Sequence, residues 1–229
     1  TPAPSVASGA RKQKAASGVP EILQSGHPVL HKEAEDVVIS EIKTPKIQNV
    51  IRSMIASLEA QADGVGLAAP QIGIPLKIFV VAGFVFDRMK KTVGSPHEVF
   101  INPVITKESK EKKWMYGEGC LSVRWLYGKV YRSTRVTLEA YNEKGEKKSR
   151  GSSGLLAHIF QHEVDHLHGI LFTDKAKDLQ EFDPEEIKAD IANRKHGHHN
   201  TPEFNAVAAP EQFDLSASND PSDEYNPEL

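Results

Sequence analysis

The stretch Gly154-Leu155-Leu156-Ala157-His158-Ile159-Phe160-Gln161-His162-Glu163-Val164-Asp165-His166-Leu167 decides how the rest of the chain is read. Leu155, Leu156, Ile159, Phe160, Val164 and Leu167 recur at the spacing of a helix and together cover most of its circumference. Ser152 or Ser153 can cap the start, and Gly169 stops the helix. A helix apolar on nearly all sides lies at the centre of a fold. It carries His162, Glu163 and His166 inward, where polar groups need partners or a metal ion. Side chains four apart stand one above the other, so the two imidazoles can grip one ion with Glu163 beside it. Taken alone, the H-E-x-x-H spacing also fits two surface histidines on a charged helix; the apolar surroundings argue against that.

Two further stretches bear on the same chemistry. Cys120, the chain's single cysteine, lies in Glu118-Gly119-Cys120-Leu121-Ser122. It can form no intrachain disulfide, and by itself it reads most simply as a small buried hydrophobe. Two histidines lacking a third donor shift that balance, because two nitrogens and a thiolate leave a fourth tetrahedral position for water. A divalent ion brings that water's pKa down to about 7, and Glu163 can then take its proton for attack on a carbonyl. Upstream runs Gly64-Val65-Gly66-Leu67-Ala68-Ala69-Pro70-Gln71. Its glycines permit close backbone approach, which suits a wall for an extended peptide, and their spacing is not that of a dinucleotide-binding loop.

Around these motifs the pattern mixes helix and strand. Thr44-Pro45 marks a helix start, and Ile47, Val50, Ile51, Met54, Ile55 and Leu58 follow at helical spacing up to a stop at Gly64. Strands are expected over 76–81, 98–103, 129–133 and 135–141, with Asn142-Glu143-Lys144-Gly145 as a hairpin turn. A last helix begins after Asp183, with Pro184 at its first position, and runs to about residue 195. No internal repeat is evident.

With 229 residues, 39% of them hydrophobic, the chain can bury one good core. A formal net charge of -3 gives no basic bias toward nucleic acid. No apolar run approaches the ~18–20 residues that cross a bilayer, so no membrane role is expected. Residues 1–19 hold Arg11, Lys12 and Lys14 without an acid and read as a disordered basic arm, the remnant of an organelle transit peptide being the other reading. Residues 20–182 read as the catalytic domain and 183–200 as a C-terminal helical extension. Residues 201–229 carry Glu203, Glu211, Asp214, Asp220, Asp223, Glu224 and Glu228 with no Lys or Arg, and read as an acidic disordered tail.

The three motifs, in this order and over roughly residues 20 to 180, resemble peptide deformylase. The resemblance implies an α+β fold, with antiparallel sheets packed around the central H-E-x-x-H helix. It implies removal of formyl from the N-terminal formyl-methionine of nascent peptides, with release of formate. Cys120, His162 and His166 would then ligate the metal and Glu163 would serve as acid and base. Gln71, through its amide, and Leu121, through its N–H, would hold the oxyanion. Val65, Gly66, Glu118, Gly119, Leu155, His158 and Ile159 would form the methionine pocket. Iron(II) is the ion the family suggests, with zinc, nickel or cobalt able to replace it. Transient contact with the ribosome follows only from where such a substrate emerges; nothing demands more than a monomer, the oligomeric state stays open, and the expected setting is the bacterial cytoplasm or else a mitochondrion or plastid.

Departures from the family pattern fall at the site's edge. Arg124-Trp125-Leu126-Tyr127-Gly128 follows where relatives continue with Pro-Gly, and Tyr127 stands where many carry arginine, which predicts a rim of different charge and shape. His158 stands where relatives commonly have an apolar residue; it is read first as a histidine bordering the substrate, with a partner behind the metal ligands and a competing ligand as the other two readings. Arg132 is expected to pair with Glu118. His196, His198 and His199 lie beyond the core and carry no assigned role. Two alternatives stay open: another H-E-x-x-H zinc peptidase, and a deformylase-like binding protein without turnover.

Overall fold

The computed structural model describes residues 18–187 and 189. Strands β1 (Gly66–Ala68), β2 (Ile78–Val81), β3 (Glu98–Glu108), β6 (Arg135–Tyr141) and β7 (Lys147–Ser153) lie side by side in that order. β4 (Lys112–Cys120), β5 (Val123–Ser133) and β8 (Lys177–Glu181) form a second, smaller sheet. Neighbouring strands are antiparallel throughout both. The helix expected at the centre is α3 (Gly154–Leu167), with Ser153 at its N-cap position. It packs against β1, β2, β3, β6 and β7 of the first sheet and β5 of the second. The fold is therefore α+β, with antiparallel sheets around a central helix.

The apolar faces of α3 explain its place. Leu156, Phe160 and Leu167 are buried, as are Phe79 and Phe100 on the strands beneath. The rings of Phe79 and Phe100 stack at 4.7 Å and Phe160 sets its edge against Phe100 at 5.0 Å. Truncating a ring packed on all sides leaves a cavity as well as lost burial. Phe160→Ala is expected to lower stability by about 3–5 kcal/mol, read as a fall in the urea midpoint; an unmoved midpoint would show that this ring does not anchor the helix.

The C-terminal end of α3 is fixed by a close backbone crossing. Gly169 has φ +71°, and a Cβ there would lie 2.7 Å from the carbonyl carbon of His31 and the amide nitrogen of Lys32. The crossing brings Ala34 N–H to the Leu167 carbonyl at 2.8 Å, satisfying one of the helix's terminal acceptors.

Several boundaries differ from the sequence reading. Helix α1 (Pro45–Glu59) closes through Ala60 rather than at Gly64. β3 continues past Pro103 because a bulge absorbs the missing donor: its register with β6 shifts between Ile101 and Val104, and Asn102 takes φ 50°. The Asn102 amide accepts from Val37 N–H and donates to the Val37 carbonyl, each at 2.8 Å. β5 begins at Val123 rather than 129, and α2 (Gly83–Lys90), β4 and β7 are elements the periodicity did not reveal. The Asn142 turn forms as expected, with Gly145 N–H donating to the Asn142 carbonyl at 2.9 Å.

After β8, Asp183 accepts from Glu185 N–H at 2.7 Å and from Glu186 N–H at 3.3 Å. Residues 184–187 and 189 are helical, with Ile187 buried. The rest of that expected helix, the basic arm up to residue 17, the acidic tail and His196, His198 and His199 lie outside the described residues. No helix among the described residues is long and apolar enough to cross a membrane.

Candidate metal centre

Three elements converge on one point. β4 ends at Cys120, after register shifts that turn the motif out of regular pairing, and Leu121 and Ser122 form the turn into β5. α3 supplies His162, Glu163 and His166, and the short 3-10 turn Ala69–Ile72 supplies Gln71. One ligand atom each from Cys120, His162 and His166 lies within 4.8 Å of the others. The Cys120 sulfur is 3.1 Å from His166 Nε2, and the two imidazoles stand nearly perpendicular with centroids 4.9 Å apart.

His162 is oriented from behind. Its Nδ1 lies 2.7 Å from Glu118 Oε1, and a carboxylate can only accept, so Nδ1 carries the proton and Nε2 keeps its lone pair for the site. Burial would raise Glu118, but His158, Arg132 and His162 outweigh it and hold its carboxyl well below the usual range. Arg132 meets Glu118 with Nε at 2.7 Å and a terminal nitrogen at 2.5 Å, the pairing expected from the sequence. Its other terminal nitrogen donates to Asp165 at 3.1 Å, and Asp165 in turn accepts from Lys175 at 2.6 Å.

Glu163 faces the ligand group. Its carboxylate is buried, and Oε2 has no hydrogen-bond partner among the described residues. Burial pushes its pKa up to about 7. Gly66 accounts for the room: a Cβ there would lie 2.4 Å from Glu163 Oε1, so the backbone of β1 passes directly over the carboxylate. Burial would also raise the Cys120 thiol, but the charges and hydrogen bonds of His166 and His162 bring it down to about 5. A thiolate, two imidazoles and an orphaned buried carboxylate oxygen fit a divalent ion with an open position.

Gln71 is fixed at both ends of its amide. The carbonyl accepts from Ala68 N–H at 2.8 Å, so the NH₂ group faces Ser122 Oγ at 3.1 Å and the Cys120 sulfur at 3.5 Å. Leu121 is buried at the turn, and its carbonyl accepts from Gln24 Nε2 at 3.2 Å. The sequence carried no signal for Ser122, Asp165 or Lys175, which matter only through the folded geometry.

The residues expected to line a pocket divide into two groups. Gly66 and Ile159 are buried, and Val65, Gly119 and Leu155 are half-buried. Glu118 is turned inward instead, with its carboxylate behind His162 rather than at an open wall. His158, read from the sequence as bordering the substrate, directs Nε2 to Glu118 Oε2 at 2.5 Å. The rim residues are also engaged. Arg124 bonds Asp63 at 2.5 Å and Gln61 at 2.6 Å, which balances its charge with a carboxylate and ties the start of β5 to the loop before β1. Tyr127 packs edge-on to Phe182 at 5.5 Å, and burial, then Asp63, raises its hydroxyl to about 12.

A thiolate and two imidazoles beside a buried carboxylate, with an amide donor nearby, define the chain as a metal-dependent hydrolase. The profile described as Polypeptide deformylase matches residues 19–182, and the chain belongs to that family. The peptide deformylase of Christiangramia forsetii is 39% identical over 183 residues, covering 77% of this chain and 89% of that protein. Peptide deformylase 1A, chloroplastic/mitochondrial, of Arabidopsis thaliana is 40% identical over 180 residues, covering 73% of this chain and 64% of that protein. The Synechococcus elongatus peptide deformylase solved with actinonin aligns with a TM-score of 0.61 at 31% identity, covering 85% of this chain and 96% of that one. The Met-Ala-Ser-bound Acinetobacter baumannii enzyme aligns with a TM-score of 0.61 at 32% identity, covering 69% of this chain and 98% of that one. The chain is accordingly a deformylase acting on formylated peptides.

Proposed function

We propose that Cys120, His162 and His166 hold the catalytic ion, that Glu163 is the general acid and base, and that Gln71 and Leu121 hold the developing oxyanion. The observation that carries this reading is the cluster of three ligand atoms within 4.8 Å beside the unpartnered Glu163 carboxylate. When bound, the ion supplies an electrophile and a water acidic enough to lose a proton near neutral pH. Glu163 takes a proton as water adds to the formyl carbon and gives it to the departing amine. The Gln71 NH₂ and the Leu121 N–H act as donors to the oxygen that gains charge. β1 is an edge strand with one side unpaired in its sheet, so an extended peptide can lie along it with its formyl end near Glu163. The substrate is the N-terminal formyl-methionine of nascent peptides, with Val65, Gly119, Leu155 and Ile159 among the groups around its side chain.

Iron(II) is proposed as the ion held in the cell, with zinc, nickel and cobalt as substitutes that the same donors accept. A monomer in the bacterial cytoplasm, meeting the ribosome only in passing, is the proposed setting; the chloroplastic/mitochondrial Arabidopsis relative makes an organelle the alternative.

The deciding experiment is formate release from formyl-Met-Ala-Ser, with acetyl-Met-Ala-Ser as control, by protein purified without oxygen and assayed for metal. Release from the formyl peptide alone is expected; metal bound without release would favour the non-catalytic binding protein. Gln71→Leu is expected to retain the ion and lose about 100-fold in kcat. An unchanged kcat would remove Gln71 from the oxyanion site.

A further inference from the structure

Among the described residues, Glu118 is the carboxylate that links the second sheet to a nitrogen of the metal-ligand set, and its surroundings are more constrained than the motif requires. It is buried, and donors meet both of its oxygens: Arg132 and His162 at Oε1, and Arg132 and His158 at Oε2. His158 and His162 are one helical turn apart, so α3 grips the same carboxylate twice from one face. Arg132 meets both oxygens from the side of the second sheet, and the two imidazoles meet them from α3. His162 draws on Oε1, and His158 adds to Arg132 a second donor on Oε2 that counters that draw from the same helix. A carboxylate that shifts takes the His162 ring with it, and ring orientation decides where the Nε2 lone pair points.

We propose that His158 is a positioning residue for the metal centre: by donating Nε2–H to Glu118 Oε2 it fixes the carboxylate that orients His162. The inference rests on the reading of Cys120, His162 and His166 as ligands. The contact belongs to a side chain outside the H-E-x-x-H motif, 11% exposed and with its ring nitrogen committed to Glu118. In this chain position 158 therefore supplies Glu118 with a donor of histidine's reach, which an apolar side chain of similar size would not.

The test is chelator competition on the full-length, zinc-loaded chain, comparing wild type with His158→Leu, His158→Gln and His158→Asn. His158→Leu keeps bulk without a donor and is expected to hold zinc about 10-fold more weakly. His158→Gln places an amide N–H close to the position of imidazole Nε2, and should restore most of the difference. The visible spectrum of the cobalt-loaded protein should shift in His158→Leu and return toward wild type in His158→Gln. Wild-type affinity in His158→Leu overturns the proposal, as does an equal loss in both variants, which would assign the effect to packing. If His158→Leu fails to fold, His158→Asn, polar but too short to reach Oε2, replaces it with the same expected loss. A Cys120→Ser control that holds zinc as tightly as wild type overturns the metal-centre reading itself, an outcome separate from any result at position 158.

Discussion

Glu163→Gln is expected to retain its metal and to lose about 10²- to 10⁴-fold in formate release. The substitution keeps the side chain's size, so the backbone of Gly66 still passes over it and the three ligands are untouched. What disappears is a group able to take a proton. The folded protein prepares that group for proton transfer, since it is buried, one oxygen has no other partner among the described residues, and burial brings its pKa up to about 7. An amide in its place can orient a water but cannot accept its proton. The measurement is kcat on formyl-Met-Ala-Ser together with metal content per chain. Wild-type kcat with full metal would remove Glu163 as the base; loss of metal along with activity would place it among the ligands instead.

Arg132→Ala should carry a large cost to stability, about 3–5 kcal/mol. The guanidinium and the Glu118 carboxylate are each nearly excluded from solvent, at 4% and 3% exposure of their side chains. Removing the cation leaves the carboxylate in a low-dielectric setting with only two imidazoles as donors, while Asp165 still has Lys175. The penalty reports a stranded charge rather than the worth of the pair, and a second variant separates the two. Arg132→Met combined with Glu118→Leu removes both charges and should lose much less stability than Arg132→Ala. That double variant should nonetheless hold metal poorly, because His162 has lost the acceptor for its Nδ1–H. Denaturant unfolding of the metal-loaded proteins checks the first statement and chelator competition the second. An Arg132→Ala variant as stable as wild type would show that water reaches Glu118.

How much of this was legible in the sequence depended on which signals are local. α3 could be read because its apolar residues recur at helical spacing, and β6 because Arg135–Tyr141 alternates. β7 could not, since Lys-Lys-Ser-Arg-Gly-Ser-Ser has no apolar face to bury and forms by pairing its whole length with β6. β4 was hidden by its glycines and register shifts. Cys120, His162, Glu163 and His166 were legible through residue type and helical spacing, and Gln71 and Leu121 only through resemblance to a family. The burial of the Glu118 carboxylate behind His162 was not legible, although its pairing with Arg132 was expected. Nor was the bond from Arg124 to Gln61 and Asp63, which joins residues about sixty positions apart. Contacts of that kind depend on how two sheets close around a helix, and no local pattern records them.

The ligand group draws on both layers of the molecule: two imidazoles from the central helix and a sulfur from the end of a strand in the smaller sheet. A chain in which that sheet has not yet docked still presents a pair of histidines, but a two-toothed grip on a divalent ion is weak and quickly lost. Only closure of the last layer adds the third tooth. Firm retention of the ion would therefore depend on both layers being in place, and a chain short of that closure would lack the complete donor set.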